Sequence, residues 1–203
     1  GRLNVKEAIT VFFILITLAF MLVLFLNPLT IALSFAGVLL ASIYPFVKRV
    51  SHLPQVFLGV AFGWGAVMSW AAVKNTIDAA PLLIFLANVF WSTAYDTIYA
   101  LMDVEDDLRV GVKSTAIFFG KKVYTALTML YIAFTTAMII AGYISGLGAV
   151  YYAAVFMAFL AFIFIIRNLK RNPKRDSAFN GFIYNAIAGG VILMALVLDM
   201  NFF

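Results

Sequence analysis

Seven apolar runs alternate with short polar breaks, over residues 8–26, 29–47, 54–73, 81–102, 123–143, 149–166 and 179–198. A helix needs about 20 apolar residues to cross a bilayer, and most of these runs approach that length. None shows the period-two alternation of barrel strands. The breaks carry recognisable chemistry: Asn27-Pro28, Pro54 placed for the first turn of the third run, a Ser145-Gly146-Leu147-Gly148 turn, and Pro173 within the loop 167–176. The pattern predicts an all-α membrane protein, one polytopic domain over residues 1–203 with seven transmembrane helices. Gly59 and Gly63, four apart in the third run and followed by Gly65, predict close helix packing through small residues.

Composition agrees with the pattern. The chain is 65% hydrophobic and 11% charged, against about 25% charged in soluble domains. There is no cysteine, which excludes disulfides and thiolate metal sites, and His52 is the sole histidine, which excludes a multi-histidine site. A net charge of +5 could suit a polyanion, but the basic residues sit in short loops between apolar runs, so no nucleic-acid partner is expected. With an N-terminus on the cytoplasmic side and alternating loops, 13 of the 14 lysines and arginines fall inside and Lys74 alone falls outside. That split supports the span count and puts the C-terminus on the periplasmic side. No obligate protein partner is indicated. The chain begins at Gly1 with no signal-peptide pattern, which suggests that the natural N-terminus lies upstream.

The polar exception is residues 95–120, YDTIYALMDVEDDLRVGVKSTAIFFG, which hold five of the nine acidic residues. On one continuous helix, Asp96, Asp103 and Asp107 share a sector of about 40°, with Glu105 nearly opposite and Asp106 on the flank. Asp96 lies inside an apolar run, where an ionisable group costs about 2.5 kcal/mol or more unless it faces a polar cavity. Clustered carboxylates without His or Cys suit Mg²⁺, which typically takes one or two carboxylates plus substrate phosphates. The competing reading is a solvated acidic loop end, and it fits Glu105 and Asp106 best.

Tyr44-Pro45-Phe46-Val47-Lys48-Arg49 closes the second run on the same membrane face. Topology alone explains a Lys-Arg pair there, yet arginine also binds phosphate or carboxylate bidentately. Acids for a metal and bases for an anion on one face suggest metal–diphosphate chemistry. His52 reads as a loop residue, the basic run 167–175 as an anchor at anionic lipid headgroups, and Trp64, Trp70 and Trp91 as packing or interface residues.

These residues resemble a family. The 95–120 stretch looks like the second aspartate-rich motif of the UbiA superfamily of intramembrane prenyltransferases, nearest its 4-hydroxybenzoate polyprenyltransferase branch. YPFVKRVSHLPQVFLGVAFGW, residues 44–64, resembles that branch's loop between its fourth and fifth helices. The resemblance implies a nine-helix bundle with a cavity open to lipid, of which this chain would supply seven helices. It implies Mg²⁺, a polyprenyl diphosphate and 4-hydroxybenzoate as partners, in ubiquinone biosynthesis at a bacterial inner membrane. Asp103 and Asp107 would bind the Mg²⁺–diphosphate, and Asp96 matches the aspartate within the preceding helix. Tyr44, Lys48 and Arg49 would face the diphosphate, with Lys113 a further phosphate contact. Family members also carry a first Asn-Asp-x-x-Asp motif that GRLNVKEA does not match, so the first two helices and that motif are expected upstream and this length alone is expected to be inactive.

The reaction implied is electrophilic aromatic substitution ortho to the phenolic hydroxyl, with Arg49 able to serve either the diphosphate or the benzoate carboxylate. A related prenyltransferase with another acceptor is the nearest alternative. A non-catalytic carrier using Asp96 is the distant one, because carriers place charges or helix breaks in several spans and here only the fourth run shows an acid.

Overall fold

Each apolar run becomes a helix with its own start and stop chemistry. The structure is a computed structural model that describes residues 4–202, with the side chains of Lys48 and Phe202 outside the described set. Helix α1, Val5–Val23, opens on a capping box in which Asn4 accepts from the Glu7 amide and the Glu7 carboxylate accepts from the Asn4 amide, both at 2.8 Å. Asn27 caps α2, Pro28–Val50, by accepting from the Thr30 amide at 3.0 Å. Its amide also donates to the Ala71 carbonyl at 2.7 Å, near the end of α3, Pro54–Lys74. Helix α4, Ala79–Ala100, leads into the short helices α5, Val104–Val110, and α6, Thr115–Phe119. A 3₁₀ turn over Gly120–Lys122 then feeds α7, Val123–Ile144, followed by α8, Ala149–Arg171, and α9, Arg175–Phe202.

Six helical segments among the described residues are long and apolar enough to cross a membrane. The seven expected runs are all helical, and α4 is the one outside that set. Its 22 residues are long enough, but it carries Asn88, Ser92, Thr93, Asp96 and Thr97. These groups are tolerable because α4 is wrapped by protein, packing on α3, α7, α9 and α6. Ala87, Ala94 and Ile98 of α4 enter a buried core with Leu127, Tyr131, Phe134, Phe162 and Ile192 from α7, α8 and α9. Helix α1 lies at the periphery with no buried residue.

Two devices fix α4. The first is close approach: a Cβ on Gly59 would sit 2.9 Å from both the Cα and the carbonyl oxygen of Val89, and one on Gly63 3.1 Å from Asn88 and Phe85. The expected small-residue packing is therefore the α3–α4 contact, but Gly65 takes no part, since nothing lies within 4 Å of its notional Cβ. The second is a buried amide. Asn185 of α9 is 1% exposed. It accepts from the Trp91 indole at 3.0 Å and the Tyr131 hydroxyl at 2.9 Å, and donates to the Gly181 carbonyl at 2.8 Å. One side chain thus ties α4, α7 and α9.

The last helix runs past residue 198 and contains a buried acid. Asp199 is 4% exposed and accepts from the backbone amide of Gly148, the N-cap of α8, which has no side-chain cap of its own. An anion at a helix N-terminus is favourable. The acid in the fourth run is therefore not unique, and this second one is explained as a cap between helices.

Close packing at Gly59 yields a direct test. Gly59→Ala should destabilise the bundle by about 1–3 kcal/mol through overpacking. Gly65→Ala should be neutral or stabilising by up to about 1 kcal/mol, because helix propensity alone changes there. Melting temperatures of both variants in one detergent check the contrast.

Candidate functional site

Asp96, Asp103 and Asp107 do not share one helix. After Ala100 the bonding pattern tightens: Met102 N donates to the Tyr99 carbonyl at 3.0 Å and Asp103 N to the Ala100 carbonyl at 3.2 Å. Such three-residue spacing winds the chain by about 120° per residue instead of about 100°. Asp103, at φ −116° and ψ 6°, leaves helical geometry, and α5 restarts when Asp107 N donates to the Asp103 carbonyl at 2.8 Å. The common sector expected for the three carboxylates is lost at this break. Asp96 belongs to the body of α4, half-buried, while Asp103 and Asp107 stand one turn apart at the start of α5. Gly111, at φ 73°, ends α5 in a left-handed conformation that lets the chain turn toward α6.

The segment is then tied back onto the bundle. Gln55 of α3 is 6% exposed and accepts from the Thr115 amide at 3.0 Å. The Thr115 and Thr97 hydroxyls meet at 2.6 Å, joining α6 to α4. Lys113 Nζ donates to the Val50 carbonyl at 3.1 Å, at the end of α2. These three bonds bring the acidic segment and the Tyr44–Arg49 region to one end of the molecule.

Of the residues expected to face an anion, Tyr44 is half-buried and lies within Coulombic reach of Asp96 and Tyr95. Arg49 is exposed, and the side chain of Lys48 lies outside the described residues. Pro45, beside Tyr44 and inside α2, has no amide to donate, which frees a carbonyl one turn earlier. His52 is exposed, its ring 6.3 Å from that of Phe118, as expected of a loop residue. Glu105 and Asp106 are exposed, and Asp106 pairs with Arg109 at 3.4 Å. Among the described residues no cation pairs with Asp96.

The basic run 167–175, expected to be an anchor at the membrane surface, also contacts the acidic segment. Arg175 Nη2 donates to Asp103 Oδ1 at 3.4 Å, so the α8–α9 loop joins the same end of the bundle. Sequence reasoning missed Gln55, Thr97, Thr115 and Arg175. No periodicity marks the first three, and the fourth was hidden in a run whose charge already had a topological explanation.

The carboxylate pair fits Mg²⁺. Asp103 sits at the N-cap of α5 yet makes no side-chain capping bond, and its Oδ1 already receives a cationic group. Among the described residues no three His, Asp or Glu side chains gather closely enough to enclose a metal. Two carboxylates with the remaining ligands from phosphate and water is an ordinary Mg²⁺ arrangement.

The UbiA prenyltransferase family model matches residues 1–186. This chain belongs to that family. It is 43% identical to a 4-hydroxybenzoate octaprenyltransferase of Citrobacter koseri over 199 residues, covering 98% of this chain and 68% of the relative. A protein of the same name from Alkalilimnicola ehrlichii is 43% identical over 202 residues, covering 99% of this chain and 68% of the relative. Among solved structures, a UbiA homolog from Aeropyrum pernix K1 superposes with a TM-score of 0.83 at 24% identity, covering 98% of this chain and 74% of that one. A structure described as digeranylgeranylglyceryl phosphate synthase gives 0.74 at 20% identity, covering 98% and 71%. The UbiA-type helical fold expected from the motifs is therefore present.

Gln55 is the hinge pin of this arrangement. Gln55→Leu leaves a buried amide unpaired, at a cost of about 1–3 kcal/mol. Amide exchange over residues 111–119 should then accelerate while α7 and α8 keep wild-type protection. Unchanged exchange in that segment would show that the tie does not hold it.

Proposed function

We propose that this chain is a 4-hydroxybenzoate polyprenyltransferase, which transfers a polyprenyl group from its diphosphate to the ring carbon ortho to the hydroxyl, in ubiquinone biosynthesis. The observation that carries the reading is 43% identity along 98% of the chain to relatives named for that reaction. The site supports it by gathering carboxylates and basic residues at one end of an apolar bundle.

Asp103 and Asp107 are the residues that would hold Mg²⁺, which would supply electrophilic stabilisation of the departing diphosphate. Arg49, Lys48 and Lys113 add positive charge where that anion develops. The allylic carbon–oxygen bond breaks with its electron pair leaving on the diphosphate, and the ring carbon forms the new carbon–carbon bond. The ring then loses a proton. Asp96 is the fitting acceptor, since it is the carboxylate deepest in the long helix, half-buried beside Tyr44 and without a paired cation among the described residues. The reaction requires exclusion of the water that would otherwise capture the cation. Arg49 either joins the diphosphate or holds the benzoate carboxylate.

The membrane assignment belongs to the same proposal: a bacterial inner membrane, with the motif loops on the cytoplasmic side and the C-terminus periplasmic. Contacts joining the α2–α3 loop, the acidic segment and the α8–α9 loop support one shared face for the basic loops.

In the complete protein, Asp103→Asn should lower Mg²⁺-dependent prenyl transfer by about a hundredfold or more, with the melting temperature unchanged. Radiolabelled prenyl transfer to 4-hydroxybenzoate measures it. Wild-type turnover by Asp103→Asn would sink the metal assignment.

A further inference from the structure

Arg175 opens α9 and reaches back across 72 residues of sequence to Asp103. The contact is loose. A single bond of 3.4 Å joins side chains 73% and 37% exposed, where charge-assisted bonds are usually about 2.7–2.9 Å. Exposed pairs of this kind add little to stability, so folding alone gives Arg175 no reason to be there.

The backbone beneath Arg175 is well supported. Tyr124 of α7 donates to the Leu169 carbonyl at 3.3 Å, and Ala178 N donates to the Lys174 carbonyl at 3.1 Å. A cavity of about 520 Å³ opens beside it, lined by Met102, Glu105, Asp106, Tyr124 and Lys174 as well as Arg175. The guanidinium therefore projects from the first turn of α9 beside this open space, one bond from the carboxylate assigned to the metal.

We propose that Arg175 is a diphosphate-binding residue that shares Asp103 with the metal. It neutralises Asp103 while the site is unloaded. When the cation takes the carboxylate, two positive groups would crowd one oxygen, and the guanidinium turns to the arriving diphosphate. Arginine suits that exchange because its planar fork serves carboxylate and phosphate alike, whereas lysine offers only a point charge. The inference rests on the Mg²⁺–diphosphate reading of Asp103 and Asp107.

The test uses Mn²⁺ as a paramagnetic stand-in for Mg²⁺ and inorganic pyrophosphate as the anion, with the complete protein in lipid nanodiscs. Without pyrophosphate, Arg175→Ala should bind Mn²⁺ about two- to fivefold more tightly than wild type, because a weak competitor is removed. With Mn²⁺ saturating, it should bind pyrophosphate about tenfold more weakly, the scale of one lost charge-assisted bond. Arg175→Gln should match Arg175→Ala in both measurements, and Arg175→Lys should fall between them and wild type. Unchanged Mn²⁺ affinity in Arg175→Ala would overturn the shared carboxylate, and unchanged pyrophosphate affinity would overturn the anion role. Asp103→Asn serves as the control. If it binds Mn²⁺ as well as wild type does, the metal reading itself fails; if it does not while Arg175→Ala matches wild type, only the role of Arg175 fails.

Discussion

A hydrocarbon medium offers no partner to a polar side chain, and that constraint governs where α4 can lie. This helix carries an aspartate, an asparagine and several hydroxyls along 22 residues. It is accommodated by enclosure: α3 presses against it through Gly59 and Gly63, while α7 and α9 close the other sides. Where polar groups are trapped inside, they are turned into ties. Asn185 joins three helices, and Thr97 meets Thr115 across the α4–α6 contact. Unpaired buried polar groups are costly, so these pairings also select one arrangement of the helices over its neighbours.

The same enclosure builds the site in two levels. Asp96 stays with the body of α4, in the half-buried zone beside Tyr44, while the break over residues 101–103 carries Asp103 and Asp107 out to the mouth. Interactions at the two levels differ in kind. Behind the mouth, Gln55, Thr97 and Thr115 form short, buried bonds that fix the backbone. At the mouth, the Asp103–Arg175 and Asp106–Arg109 pairs are exposed and long, and they exchange readily with ions and water. A rigid frame under labile charges is a sound arrangement for receiving a polyanion and releasing it.

The two ends of the bundle also divide the work. At the far end, Asn27 holds the close of α3 and Asp199 caps α8 from α9, both structural contacts between neighbouring helices. At the near end, the loops after α2, α4 and α8 converge. Carboxylates occur at both ends, and their surroundings separate them: Asp199 is buried and accepts through one oxygen from an adjacent helix N-terminus, whereas Asp103 faces an exposed guanidinium and solvent.

Much of this was legible in the residues alone. Long apolar runs with Pro, Asn and Gly breaks specify helices and their order, because hydropathy and capping act within about a turn or a span of sequence. The acidic stretch and the Tyr44–Arg49 segment stood out as polar exceptions, and their family pattern identified the fold. Sequence could not show that the helix breaks between Asp96 and Asp103, since no proline or glycine interrupts residues 97–103. The contacts that hold the chain after the break, from Gln55 and Thr97 to Thr115, span 60 and 18 residues of sequence and leave no local signal. Nor could it pair Arg175 with Asp103, because a contact spanning 72 residues leaves no local periodicity to read. Local free energies fixed which residues form helices; the enclosure of α4 by distant helices decided which charges meet.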